Sequence, residues 1–155
     1  MKKYILTLSF LVIAFASCKK GDSFDAAAQA TKDDAAIQTY LKANPNITAT
    51  KDPSGVYYQV VTPGTGANPT ASSAVTVNYT GSVLNGGQFA TALNLANSPL
   101  TGLIAGWQIG IPKVKAGGRI LLIIPSAYGY GNNSPAAAIP ANSVLIFTID
   151  LLSFQ

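Results

Sequence analysis

A chain of 155 residues has room for one domain with a substantial core. It contains no histidine, one cysteine and no glutamate, which excludes a histidine-based triad and the usual zinc site. The formal charge is +4, and only Asp150 of the six aspartates lies beyond residue 52, so the C-terminal two thirds lacks the carboxylate pair that glycosidases and aspartic proteases need.

The chain opens with Lys2 and Lys3, followed by an apolar run from Ile5 to Ala16 that has the length of a signal peptide rather than of a membrane span. Ala16 and Ser17 precede Cys18, a pattern that resembles the lipobox of bacterial lipoproteins, with Phe15 where an aliphatic residue is usual. The resemblance implies removal of residues 1–17 and acylation of Cys18, hence a lipid-anchored protein of the periplasm or cell envelope. The alternative is an ordinary signal peptide followed by a free thiol, or an uncleaved anchor. A lone cysteine in an oxidising compartment favours acylation. Lys19, in place of the aspartate that signals inner-membrane retention in some bacteria, points to the outer membrane. Cleavage leaves eight basic residues against six acidic ones, without a basic patch interleaved with aromatics, so nucleic acid is not an expected partner.

Residues 18–52 read as a tether with one short helix over about 33–43. Asp33 or Asp34 is placed to cap it, Asn44-Pro45 to stop it, and Ile37, Tyr40 and Leu41 form a narrow apolar side. That side is expected to dock on the following domain in preference to a second copy, giving a monomer or a weak dimer.

From residue 53 the pattern changes to short strands punctuated by Gly, Pro, Asn and Ser. Gly55 to Thr62 reads as one strand. Ala74 to Val83 alternates, with Val75, Val77 and Tyr79 on one face and Thr76, Asn78 and Thr80 on the other. Arg119 to Ile124 is a continuous apolar run, and Val144 to Leu152 alternates again, with Leu145, Phe147, Ile149 and Leu151 together. Leu103 to Ile109 is a short helical candidate carrying the single tryptophan. The simplest assembly is an α+β fold, one antiparallel sheet covered by one small helix.

Several segments in register then carry a family resemblance: Gly55-Val56-Tyr57-Tyr58 with Pro63-Gly64-Thr65-Gly66, Val77-Asn78-Tyr79-Thr80-Gly81, Gly86-Gly87-Gln88-Phe89, Ile104-Ala105-Gly106-Trp107, Gly117-Gly118-Arg119, Ile124-Pro125-Ser126 with Tyr128-Gly129-Tyr130-Gly131, and Ile139-Pro140-Ala141-Asn142-Ser143. In this order and spacing, residues 53–155 resemble an FK506-binding-protein domain, the FKBP-type peptidyl-prolyl cis-trans isomerases. The resemblance implies a twisted antiparallel sheet wrapped around one short helix, and an apolar pocket between them. Tyr79, Phe89, Trp107, Tyr130 and Phe147 take the positions of catalytic pocket residues, with Leu103, Ile104, Ala90 and Ile139 contacting substrate. Trp107 would be the floor, Leu103 and Ile104 would present backbone groups, and the Tyr130 hydroxyl would donate to a bound peptide. Tyr79, Ile104 and Phe147 also fall where any sheet protein places its core. Tyr128 competes with Tyr130 for the pocket, and the spacing from Pro125 favours Tyr130.

The implied chemistry suits the composition. Rotating an X-Pro amide breaks no covalent bond and requires neither nucleophile nor metal nor cofactor. The partners implied are proline-containing polypeptides and, weakly, FK506-like macrolides. Two departures bear on activity. The residue after Phe89 is usually Asp in the family and is Ala90 here, and the segment Asn94 to Thr101 lacks the usual aromatic wall, with Ser98 or Leu100 nearest its place. Two functions stay open on these grounds: an isomerase of reduced activity that assists folding of exported proteins, or a feeble catalyst that holds proline segments as a binding or chaperone module. Ser–Lys hydrolysis by Ser126 with Lys113 or Lys115 has no spacing in its favour.

Overall fold

The computed structural model describes residues 24–155, so the expected signal peptide and the expected acylation of Cys18 lie outside the described residues. The sheet is built from β1 (Thr50–Lys51), β2 (Tyr57–Thr62), β3 (Ala74–Val83), β4 (Gln88–Pro99), β5 (Gly118–Ile124) and β6 (Leu145–Phe154). Its order is β1-β2-β5-β6-β3-β4, and every neighbouring pair is antiparallel.

Alternation decides which residues point inward. On β6, Leu145, Phe147, Ile149 and Leu151 are all buried, as are Val75 and Val77 on β3. They share one core with Ile120, Leu122 and Ile124 of β5 and with the short helix α2 (Ala105–Gly110). α2 sits close to the sheet because Gly106 and Gly110, one turn apart, have no side chains there. A Cβ on Gly106 would stand 2.5 Å from Ile124, and one on Gly110 would collide with Leu122.

The apolar run of β5 is continuous because both of its faces are covered. Ile123, with Tyr57 of β2, packs on the opposite side against Ile37, Leu84 and Val144. Ile37 belongs to α1 (Ala26–Ala43), which docks on this outer face through Ile37 with Tyr40 and Leu41 at its margin. Complete burial of such a side chain contributes about 1.5–3 kcal/mol.

α1 begins seven residues earlier than the expected start at 33. Its N-cap is Asp25, whose carboxylate accepts from the Ala27 and Ala28 N–H groups, rather than Asp33 or Asp34. The alanine-rich stretch is helical because alanine has the highest intrinsic propensity, even without an apolar stripe. The end at Asn44 is where the sequence put it. Asp34 instead accepts from the Tyr57 hydroxyl at 2.7 Å and from Lys51, binding α1 to β1 and β2.

β4, which has no counterpart among the strands read from sequence, is a bulged strand. Its register against β3 slips three times, each time with an extra residue on β4. Asn94 and Asn97 fall within two of these slips with φ of 58° and 47°, and their N–H groups are taken by Asn78 Oδ1 and Thr76 Oγ1 of β3. Bulges bend a strand and increase its twist, here around α2.

Candidate functional site

The inner face of the sheet and α2 leave a cavity of about 190 Å³ between them, lined by Tyr79, Phe89, Ala90, Leu95, Leu103, Ile104, Trp107, Tyr130, Ile139 and Phe147. All nine pocket positions named from sequence thus face one space. Phe147 is the hub. Its ring meets Trp107 edge to face at 5.2 Å and Phe89 at 5.7 Å, while Tyr79 meets Trp107 at 4.9 Å. Edge-to-face contacts satisfy the ring quadrupoles and hold each ring at a fixed tilt.

Each side chain is aimed by its element. Tyr79 and Phe147 come from inward positions of β3 and β6, which pair directly through Tyr79–Ile149 and Gly81–Phe147. The third slip of β4 lies between Gln88 and Ala90, so Phe89 is the extra residue and both it and Ala90 reach the cavity. Trp107, 4% exposed, lines the cavity from α2, and its indole N–H has no partner among the described residues.

Leu103 and Ile104 form the rim before α2. The Leu103 carbonyl accepts from the Gln108 side chain at 2.8 Å and its N–H donates to Leu100, while the Ile104 carbonyl accepts from Trp107 and Gln108. That leaves the Ile104 N–H as the backbone donor without a partner among the described residues.

Tyr130, not Tyr128, reaches the cavity. It stands after the turn Ser126–Tyr128, and burial pushes its phenol up, with Tyr79 nearby adding to the shift. The hydroxyl therefore keeps its proton at neutral pH and remains a donor.

Leu95 lines the cavity, whereas neither Ser98 nor Leu100, the residues expected nearest the missing aromatic wall, does. Leu100 is fully buried in the core, and Ser98 pairs with Val75 away from the cavity. Among the described residues no charged one lines the cavity. Among the described residues no cluster of metal-ligating side chains occurs. Ser126 and Lys113 have other partners: Ser126 bonds to Asp33, and Lys113 donates to Asp52 at 2.6 Å.

Comparison with known proteins gives a consistent result. The family described as FKBP-type peptidyl-prolyl cis-trans isomerase matches residues 66–152. FK506-binding protein 1 of Saccharomyces cerevisiae is 37% identical over 98 residues, covering 59% of this chain and 86% of that protein. FkpA of Aeromonas hydrophila, an FKBP-type peptidyl-prolyl cis-trans isomerase, is 37% identical over 122 residues, or 76% of this chain and 45% of the relative, so the chain spans less than half of that protein. The crystal structure of FkpA from Escherichia coli superposes with a TM-score of 0.69 at 33% identity, covering 83% of this chain and 64% of the other.

Proposed function

Because the chain belongs to the FKBP-type peptidyl-prolyl cis-trans isomerase family, we propose that it accelerates cis/trans isomerisation of X-Pro bonds in polypeptide clients by binding them in the Tyr79–Trp107–Phe147 cavity. The barrier to rotating a peptide bond is about 18–20 kcal/mol because resonance is lost in the twisted amide. A dry, apolar cavity that fits the twisted form better than either planar form lowers that barrier without covalent chemistry. In this reading the proline ring lies on Trp107 between Phe89 and Phe147, the Ile104 N–H and the Tyr130 hydroxyl donate to carbonyls beside it, and Leu103, Ala90, Ile139 and Tyr79 complete the walls. The observation that carries the proposal is the aromatic cavity with two unclaimed donors at its edge and no ionisable acid within it.

A protease-free isomerisation assay on the full chain, with peptides varied before proline, tests it. Rate enhancement that falls about two- to tenfold in Tyr130→Phe, the range of one hydrogen bond, and further in Phe89→Ala is the expected result. Absence of enhancement with every peptide, while proline peptides still change Trp107 fluorescence, would establish the second reading, a binding or chaperone module; Ala90 in place of aspartate is the feature that favours it. The same substitution supports only weak affinity for FK506-like macrolides.

Residues 53–155 are proposed as the isomerase unit, held at the envelope by acylated Cys18 once residues 1–17 are removed, with the outer membrane the preferred site and exported proteins the clients. Metabolic labelling with a palmitate analogue, compared between the full chain and Cys18→Ser, checks the anchor.

A further inference from the structure

Asp33 lies in the middle of α1, is 3% exposed, and faces the body of the protein. Its Oδ2 accepts both the Ser126 N–H at 2.7 Å and the Ser126 hydroxyl at 2.6 Å, and its Oδ1 accepts from the Gln29 side chain at 2.7 Å. Ser126 is 1% exposed and 93 residues away in sequence. A polar side chain buried so completely needs its hydrogen-bonding capacity met, and the two bonds from Ser126 with the one from Gln29 meet it.

Ser126 is the foot of the turn that carries Tyr130. Its carbonyl accepts the Gly129 N–H at 3.0 Å and the Gly131 N–H at 2.8 Å, so the chain on both sides of Tyr130 closes onto the residue that Asp33 holds. The Gly131 carbonyl in turn accepts the Asn142 N–H at 2.8 Å, which ties in the loop carrying Ile139.

We propose that Asp33 is a positioning residue for the cavity: through Ser126 it fixes the turn 126–131 and so sets where the Tyr130 ring and hydroxyl stand. α1 is then part of the working site and not a spacer. The inference rests on the isomerase reading above.

The test compares the full-length chain with Asp33→Ala, Asp33→Asn, Tyr130→Ala and the Asp33→Ala/Tyr130→Ala double variant, with kcat and KM measured well below each melting midpoint. Asp33→Ala lowers kcat/KM about five- to twentyfold, and the same substitution in the Tyr130→Ala background costs less than about twofold, because residues acting through one another are not additive. Asp33→Asn recovers most of the loss, since its Oδ1 still accepts from Ser126 while its amide donates to the Gln29 oxygen. Equal losses in both backgrounds, or wild-type kcat/KM in Asp33→Ala, overturn the proposal. Should Asp33→Ala fail to fold, Ser126→Ala enters the same cycle, as it removes the hydroxyl bond and keeps the N–H bond. If the full chain has no isomerase activity, that reading fails separately, and the cycle is read from Trp107 fluorescence on titration with a proline peptide. A loss of affinity that disappears in the Tyr130→Ala background supports positioning, and additive losses overturn it.

Discussion

Gly81 of β3 and Phe147 of β6 are cross-strand partners, and the edge of the Phe147 ring occupies the space a methyl group at position 81 would need. A Cβ there would stand 2.6 Å from Phe147 Cε1 and 2.9 Å from Phe89 Cζ. The glycine thus lets the edges of two nearly perpendicular rings of the cavity come close to the strand. Gly81→Ala is expected to tilt both rings, raise KM for proline peptides, and destabilise by about 1–3 kcal/mol, the usual cost of overpacking. Steady-state kinetics with a thermal melt check it, and an unchanged KM would show that the rings have room to give.

Ala90 sets the electrostatic character of the cavity. With no carboxylate or imidazole in the lining, and with Tyr130 titrating above its ordinary range, the wild-type rate should be flat between about pH 5 and 8. Ala90→Asp introduces, into the lining that Tyr79 and Tyr130 share, the acid that the resemblance leads one to expect there. Burial opposes its ionisation while phenol donors favour it. A higher kcat/KM and tighter macrolide binding at neutral pH, with a new loss on the acid side, are the expected outcomes. A pH–rate profile of both proteins decides, and no gain in Ala90→Asp would mean that Ala90 does not limit the activity.

Asp52 gives stability a pH dependence. The Lys113 ammonium at 2.6 Å, helped by the Ser54 N–H, pushes its carboxyl down to about 2 from 3.8. Between those values the unfolded chain binds the proton and the folded chain does not, so the contribution is complete above about pH 4 and is lost as pH falls toward 2. Lys51 and Arg119 lower Asp34 and Asp150 in the same sense. The melting temperature should be level from pH 8 to about 5 and fall below about pH 4. In Asp52→Asn the fall should be shallower, which differential scanning calorimetry across that window measures.

Ile37 holds α1 to the sheet. Its truncation in Ile37→Ala leaves a cavity among Tyr57, Leu84, Ile123 and Val144 and should cost about 2–5 kcal/mol. Because α1 shares that packing with β2 and β5, the loss should appear as one transition at lower temperature. A separate early transition, with the main one unmoved, would mean that α1 folds independently of the sheet.

Strands β3 and β6 were legible because one buried face leaves a period of two, and β5 because burial on both faces leaves an unbroken apolar run. β4 was not, since three extra residues destroy its alternation: Leu93 is 84% exposed while Leu95, two residues on, lines the cavity. The nine pocket positions were found through the resemblance, which matches residues in order and tolerates bulges. The start of α1 could have been read from Asp25 followed by three alanines. Asp33 could not have been given its place by any local pattern, because its partner is in another element and on the far side of the fold in sequence.

β4 forms one edge of the sheet, with one side of its backbone unpaired among the described residues. A protein proposed to work among unfolded polypeptides meets many extended segments able to add themselves to such an edge. The slips at Phe89, Asn94 and Asn97 leave no long regular stretch for them to join. The irregularity that curves β4 around α2 therefore also separates two kinds of encounter: a client can place a proline in the cavity and leave, but finds no straight template along which to stay and begin an aggregate.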